Sequence, residues 1–219
     1  MVKLSATERT RVRRAPDRAA TDSAALYAVL DEGLICHVGF VDGDAPMVIP
    51  TSYGRDGDRL YLHGSTGSRM MRHLATGAPI CVTVTLLDGL VLARSVMHHS
   101  MNYRSAVIFG TAWPVTDPGE RAHAFEVIVE HLVPGRWADA RRPNRREDAA
   151  TAVVALDMAE ASVKMRTGPP GDDEIDLDDG TWAGVVPISQ TFGTPTNDDY
   201  TPQGVAPPSY ATDYRRRSS

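Results

Sequence analysis

The 219-residue sequence lacks the features that mark several common protein classes. No stretch approaches the roughly 18 consecutive apolar residues of a membrane helix. The polar, arginine-bearing N-terminus has no apolar core of a secretory signal. There is also no basic surplus, since the formal net charge is -5, which argues against a dedicated nucleic-acid-binding protein. These absences favour a cytoplasmic protein that binds neither membranes nor nucleic acid.

Cysteine is scarce as well, with only two residues in the chain. Cys36 and Cys81 both lie inside apolar runs, where buried free thiols are common. Such thiols persist in a reducing compartment, whereas disulfides are typical of secreted proteins. We therefore expect two free cysteines and no stabilising disulfide.

Several sequence motifs of well-known sites are missing too. No Gly-x-Gly-x-x-Gly follows a strand, which argues against a Rossmann nucleotide site, and no P-loop lysine follows the glycines at 64–67. The acidic run at 172–179 lacks the alternating carboxylates of an EF-hand. His98 and His99 are adjacent, so in a strand they would face opposite sides of the sheet. We therefore predict no metal site.

The patterns that are present indicate antiparallel strands with a few helices. Thr21 and Asp22 are suited to cap a first helix that ends before Gly33. Strand-forming residues at 34–41 then reach the turn Asp42-Gly43-Asp44, and 47–53 returns as the second strand. Further strands are predicted at 60–63, 79–87, 90–96, 103–115, 151–156 and 161–166. Consecutive antiparallel strands predict a closed or partly closed barrel.

Two more helices are predicted between these strands, over 68–76 and after Asp117-Pro118, where aspartate and proline form a good helix start. One face of the latter helix is predicted to carry Ala122, Phe125, Ile128, Val129 and Leu132. Residues 134–150 are predicted to form a basic, irregular loop. Residues 1–20 are expected to form an N-terminal arm, and 189–219 an extended or disordered tail.

One segment, residues 60–74, has the pattern of a phosphate site. A strand runs into His63-Gly-Ser-Thr-Gly-Ser-Arg69 and then into a helix. Backbone N–H groups at a helix start attract anions, and arginine adds a forked cationic partner. An ordinary capped helix with an exposed arginine is the alternative. Arg104 and Ser105, which begin a later strand, would complete a phosphate clamp if the two segments are close; otherwise Arg104 is a surface charge.

These segments, with Trp182-Ala-Gly-Val-Val-Pro187 near the end, resemble the FMN-binding split-barrel family that includes pyridoxamine 5'-phosphate oxidase. The likeness is greater to its nitroimidazole-resistance-protein-like branch. It implies a mainly β fold, a six- to seven-stranded antiparallel split β-barrel of Greek-key type with flanking helices. It also implies that residues 21–188 form an FMN-binding domain.

The resemblance implies a role for twelve residues. The FMN phosphate would be held by Ser68, Arg69, Arg104 and Ser105, and the isoalloxazine edge by Pro50, Thr51, Ser52 and Tyr53. His63, Gly64 and Ser65 would line the ribityl chain, and the partner subunit would contribute Trp182, since the family binds FMN at a homodimer interface. Tyr53 is equally suited to packing inside the barrel. His63 is the best titratable candidate for a catalytic group, although it also suits a strand-end histidine bonded to the backbone.

The resemblance also implies a function. The sequence lacks the Arg-x-His element with which pyridoxamine 5'-phosphate oxidase holds its substrate, so we do not expect vitamin B6 oxidation. We expect an FMN-dependent oxidoreductase acting on a small organic molecule, with nitro-compound reduction suggested by analogy alone. One alternative is a haem- or deazaflavin-binding carrier, in which His63 or His37 would be an axial haem ligand. Another is an interaction module without cofactor that binds partners through its tail.

Overall fold

The computed structural model of the protein describes residue 4, residues 7–178 and residues 180–216. Eleven strands lie in this part: β1 Ala19–Ala20, β2 Cys36–Asp42, β3 Ala45–Thr51, β4 Tyr53–Asp56, β5 Arg59–Ser65, β6 Pro79–Leu92, β7 Ser100–Thr111, β8 Trp113–Pro114, β9 Thr151–Asp157, β10 Glu160–Arg166 and β11 Gly184–Pro187. The helices are α1 Ser23–Glu32, α2 Arg69–Leu74, α3 Pro118–Leu132, α4 Arg136–Asp139, α5 Arg145–Ala150 and α6 Ser209–Thr212.

The strands form two antiparallel sheets that share one core. The larger sheet has seven strands. Six follow the order β1-β10-β7-β6-β2-β3, and the seventh, β11, pairs with residues 89–92 of β6. The smaller sheet has four strands in the order β4-β5-β9-β8. The chain passes from the larger to the smaller sheet at Ser52, between β3 and β4, and again at Ala112, between β7 and β8. The structure thus confirms the mainly β split barrel with flanking helices.

The local signals in the sequence explain where several elements begin. Asp22 caps α1 by accepting a bond from the Ala25 N–H, and Asp117 caps α3 by accepting from the Glu120 N–H. Gly43, at φ 61°, supplies the positive backbone angle of the hairpin turn between β2 and β3. Each of these three features is confirmed.

The main core lies between the sheets and is closed by two helices. Leu26, Val29 and Leu30 of α1 are fully buried there, and so are Met71 and Leu74 of α2. A smaller cluster lies on the outer side of the four-stranded sheet, beneath α3. Gly54 on β4 allows this packing, because a Cβ there would lie 2.8 Å from the backbone of Ile128.

Three expectations are corrected. The structure has more strands than expected, because β3 and β4 separate at Ser52 and because β1, β8 and β11 form beside longer strands. The predicted strands at 79–87 and 90–96 are instead one strand, β6, which bulges between Leu87 and Gly89. Residues 134–150 contain the short helices α4 and α5 rather than only an irregular loop, and a capping box of Asn144 and Glu147 begins α5.

The buried face of α3 also differs from the predicted one. Its fully buried residues are Ala124, Ile128 and His131, whereas Ala122 is exposed. His131 can occupy a buried position because its Nε2 bonds to the Gly33 carbonyl oxygen at 2.8 Å.

The C-terminal segment lies back against the barrel. The Tyr214 hydroxyl donates to the Leu132 carbonyl at the end of α3, at 2.6 Å. The Phe192 and Tyr214 rings meet edge to face, with centroids 4.4 Å apart. None of the helices in the described part of the chain is long and apolar enough to cross a membrane.

Both cysteines are free thiols, as expected. Burial raises the pKa of Cys36 to about 12, so this thiol stays protonated and packs as a small apolar side chain.

Candidate functional site

The segment 63–69 has the strand–turn–helix form that the sequence predicts. It runs from the end of β5 through an exposed turn to the first residue of α2. The turn closes through the Ser68 N–H, which bonds to the Ser65 carbonyl at 2.9 Å, and through the Gly67 N–H, which bonds to Ser65 Oγ at 3.2 Å. Ser68 caps α2 by accepting from the Met71 N–H at 3.5 Å. The structure therefore brings His63, Gly64, Ser65, Ser68 and Arg69 together.

Gly64 has a packing role that the sequence did not reveal. A Cβ at this position would lie 2.9 Å from Cγ of Met71, so the buried Met71 side chain would have to shift. Gly67, in contrast, would meet only Ser65 Oγ, at 3.6 Å, an ordinary contact. Gly64 therefore allows β5 to pack closely against Met71 of α2, whereas Gly67 has room for a small side chain.

His63 lies on the face of β5 opposite the main core, paired across the sheet with Val153. Its Nδ1 is buried and has no hydrogen-bond partner among the residues that the structure describes. Burial lowers the pKa of His63 below its ordinary value, because the charged imidazolium loses hydration there. A buried ring nitrogen without a partner costs free energy, which a ligand that bonds to it would recover.

Arg69 is available to an anion. Its side chain is 64% exposed, and its closest carboxylate is Asp42, with nitrogen and oxygen 3.5 Å apart. An exposed pair at this distance contributes little to stability. A phosphate could therefore take the place of Asp42 at small cost, and Ser65 and Ser68 lie in the turn that leads to Arg69.

Arg104, by contrast, is held at a different place. Its guanidinium donates to both carboxylate oxygens of Glu32, at the end of α1, and to both of Asp88, at the bulge of β6. The hydrogen bonds to Glu32, and to a smaller extent those to Asp88, raise the pKa of Arg104 above its ordinary value. Two carboxylates thus occupy Arg104 on β7, and the predicted clamp of Arg104 with Arg69 stays a prediction.

The remaining predicted residues are spread along the larger sheet. Ser105 bonds to Thr85 through their hydroxyl oxygens, 3.1 Å apart, across β7 and β6. Pro50 and Thr51 end β3, and Ser52 lies where the two sheets part. Trp182 is 65% exposed and packs only lightly, over Gly184. The cofactor roles predicted for these residues and for Arg104 stay predictions.

The Tyr53 side chain is fully buried in the main core. Its hydroxyl donates to the carbonyl oxygens of Leu30, at 2.6 Å, and Gly33, at 2.9 Å. The side chain therefore belongs to the core, and only its backbone remains to border a ligand.

Three functional candidates were missed by sequence reasoning. Glu32 and Asp88, which hold Arg104, lie 72 and 16 residues from it, so no local motif could reveal them. The third is His73, whose Nε2 is buried without a described partner while its ring lies 4.8 Å from that of Phe40. The described residues contain no group of three or more histidines, cysteines or acids that could hold a metal ion.

Comparison with known proteins identifies the family. The family model for pyridoxamine 5'-phosphate oxidase matches residues 22–165. The chain belongs to the pyridoxamine 5'-phosphate oxidase family. No curated protein sequence matches the chain significantly.

Two solved members of this fold are similar along nearly the entire chain. The flavocytochrome Anf3 from Azotobacter vinelandii is 40% identical, with a TM-score of 0.90, over 96% of this chain and 98% of that one. A protein from Mycobacterium smegmatis described as binding FAD and haem is 37% identical, with a TM-score of 0.87, over 91% and 98%.

A third solved structure is more distant. A protein from Bacteroides thetaiotaomicron described as a 5-nitroimidazole antibiotic resistance protein is 23% identical, with a TM-score of 0.57, over 67% of this chain and 85% of that one. At this identity the likeness shows the split-barrel fold alone. The predicted family is confirmed. The likeness to the flavocytochrome and to the protein described as binding FAD and haem covers 96% and 91% of this chain, so it includes part of the C-terminal region.

Proposed function

We propose that the protein is a redox flavoprotein of the flavocytochrome type, which holds a flavin nucleotide at segment 63–69 and haem as a second group. The observation that carries this proposal is the similarity along almost the full chain to the flavocytochrome Anf3, at 40% identity and a TM-score of 0.90. The protein described as binding FAD and haem supports it independently.

The residues of segment 63–69 fit a flavin nucleotide. The exposed guanidinium of Arg69 and the hydroxyls of Ser65 and Ser68 provide donors for a phosphate. The buried Nδ1 of His63 has no described partner and suits a polar atom of the ring system or its ribityl chain. When bound, the flavin supplies the hydride or electron transfer.

His63 is proposed as the group that holds a proton near the flavin. Because burial lowers its pKa, the imidazole is neutral at pH 7 and has one ring nitrogen that donates and one that accepts. A neutral histidine can therefore donate one hydrogen bond, accept another and take up a proton at its unprotonated nitrogen, whereas Arg69 keeps its charge.

The sequence predicted FMN, whereas the relative that specifies its flavin is described as binding FAD. We propose FAD, and titration of cofactor-free protein with FAD and with FMN, followed by flavin fluorescence, tests the choice. Tighter binding of FAD is expected. Tighter binding of FMN would reinstate the earlier prediction, and binding of neither would refute the proposed function.

A homodimer with the flavin near its interface remains part of the proposal. Several large apolar side chains are exposed, among them Val48 on β3, Met101 on β7, Val186 on β11 and Trp182, which precedes β11. Surface of this kind is typical of protein contacts. Light scattering of the purified protein is expected to give twice the chain mass of 23.7 kDa, and a monomer mass would contradict the dimer.

The substrate is proposed to be a small organic electron acceptor or donor, and nitro compounds are the first class to assay. Binding without turnover would identify an electron carrier instead. The two free thiols support the reducing cytoplasm as the proposed location.

A further inference from the structure

A large groove lies on the outer face of the seven-stranded sheet, beneath the C-terminal segment. This groove has a volume of about 1040 Å³. Ligand pockets commonly measure roughly 300–1,000 Å³, so the groove has room for a large planar group rather than a small metabolite. Pro50 of β3 lines the groove, so the groove borders the strand that ends just before Ser52.

The groove walls combine a cluster of exposed apolar side chains with the ion-paired group of Arg104, Glu32 and Asp88. Ile35, Leu87, Ile188 and Phe192 line it, and each is between 37% and 56% exposed. Clustered apolar side chains of this kind mark a surface that a ligand or partner covers. An apolar macrocycle would remove these side chains from water.

One histidine faces the groove from a rigid position. His37 lies on β2, which is hydrogen-bonded on both sides, opposite Pro50 on β3 and Thr83 on β6. Cys36 and Val38 are buried, so alternation turns the His37 side chain to the outer face. Within the described ranges, its imidazole has no hydrogen bond or ion pair.

The other histidines are less suited to a ligand in this groove. His98, His99, His123 and His131 are bonded to Asp173, the Ser95 carbonyl, Asp56 and the Gly33 carbonyl, in that order. His63 and His73 have buried nitrogens without a described partner, but neither lines the groove. Two other cavities, of about 720 and 580 Å³, contain no histidine.

Cationic groups lie at the C-terminal side of the groove. Arg215 and Arg216 line it, and the Nε atom of Arg216 is buried with no partner among the described residues. The Arg216 guanidinium lies 6.0 Å from the centre of the Phe192 ring. A carboxylate would satisfy it with a charge-assisted hydrogen bond.

Clustered apolar side chains, one unpartnered imidazole and an arginine with a buried, unpartnered Nε together match the chemistry of haem. Haem iron is commonly held by a histidine, its ring is apolar, and its propionates are carboxylates. We propose that this groove is the haem site, in which His37 would bind the iron and Arg216 would pair with a propionate. The inference rests on the proposed function, because the relatives alone suggest haem rather than another macrocycle.

Spectroscopy of the full chain tests this assignment without any activity assay. Wild-type protein, His37→Ala and His123→Ala are each purified, supplied with hemin and flavin, and freed of excess. His123 is a matched control, because it lies on the surface beside Asp56. We expect His37→Ala to lose the histidine-ligated Soret spectrum while it retains flavin, and added imidazole to restore that spectrum. Arg216→Ala should weaken hemin binding by about tenfold, the effect of one lost charge-assisted hydrogen bond.

The possible failures are distinguishable. An unchanged Soret spectrum in His37→Ala, or its loss in His123→Ala instead, overturns the assignment of His37 while the haem proposal stands. Flavin binding without hemin binding in the wild type overturns the haem site and leaves the flavin proposal intact. Binding of neither group overturns the proposed function itself.

Discussion

Replacement of Tyr53 by phenylalanine separates a core role from a cofactor role at a predicted site residue. The hydroxyl is fully buried and donates to the carbonyl oxygens of Leu30, at 2.6 Å, and Gly33, at 2.9 Å. The Gly33 oxygen keeps its bond to His131 in the variant, at 2.8 Å, so the Leu30 oxygen is the acceptor left without this donor. A buried acceptor that loses its partner costs roughly 1–3 kcal/mol.

We therefore expect Tyr53→Phe to lower the free energy of unfolding by about 2 kcal/mol. For a chain of this size, that loss corresponds to a fall in Tm of about 4–8 °C. Urea unfolding followed by circular dichroism measures the change, in cofactor-free and in flavin-loaded protein. Tyr200→Phe is the matched control, since its side chain is exposed, and should change the stability by less than about 0.5 kcal/mol.

The flavin affinity of the same variant completes the test. Because the hydroxyl bonds inside the core, flavin affinity should stay within about twofold of the wild type, a difference of roughly 0.4 kcal/mol. Loss of flavin binding with unchanged stability would refute this reasoning and would place the Tyr53 side chain against the cofactor.

Three further perturbations follow from the same contacts. Arg69→Ala should weaken flavin binding by about 10- to 100-fold, since a charge-assisted phosphate bond contributes roughly 1.5–3 kcal/mol; fluorescence titration measures it, and an unchanged Kd would exclude Arg69. Gly54→Ala should destabilise the protein by more than about 2 kcal/mol, because its Cβ would lie 2.8 Å from the Ile128 backbone, whereas Gly67→Ala should unfold like the wild type. Because the pKa of His63 is lowered in the folded state, its contribution to stability is full above about pH 6.5 and is lost as the pH falls through the folded pKa; His63→Gln should remove that part of the pH dependence of unfolding.

Controls and contrary outcomes for these three predictions are as follows. Arg72→Ala, on the exposed side of the same helix, should leave the flavin affinity unchanged. Equal unfolding curves for both glycine variants would contradict the packing of α3 against β4. A wild-type pH profile in the glutamine variant would show that His63 titrates alike in the folded and unfolded chain.

Elements with local signals were predictable from the sequence. Asp22, Asp117 and the turn at Gly43 each act on neighbouring residues, so their patterns stand in a few consecutive positions. The capping box of Asn144 and Glu147 was equally local, but the basic composition of 134–150 concealed the two short helices there. The separation of β3 from β4 was not predictable, because it depends on which sheet each half pairs with.

The candidate site was predictable only where it is continuous in the chain. Segment 63–69 combines all its groups within seven residues. Arg104 has partners 72 and 16 residues away, and its capture by two carboxylates depends on the packing of α1 against β6 and β7. The groove beside His37 depends on where the C-terminal segment lies, which polar and proline-rich sequence does not specify.

The visible absorbance spectrum of the purified protein tests the flavin and haem assignment. We expect flavin bands together with a Soret band, and we expect Arg69→Ala to weaken only the flavin bands. A spectrum without flavin, in protein that also fails to take up added FAD or FMN, would contradict the proposed function.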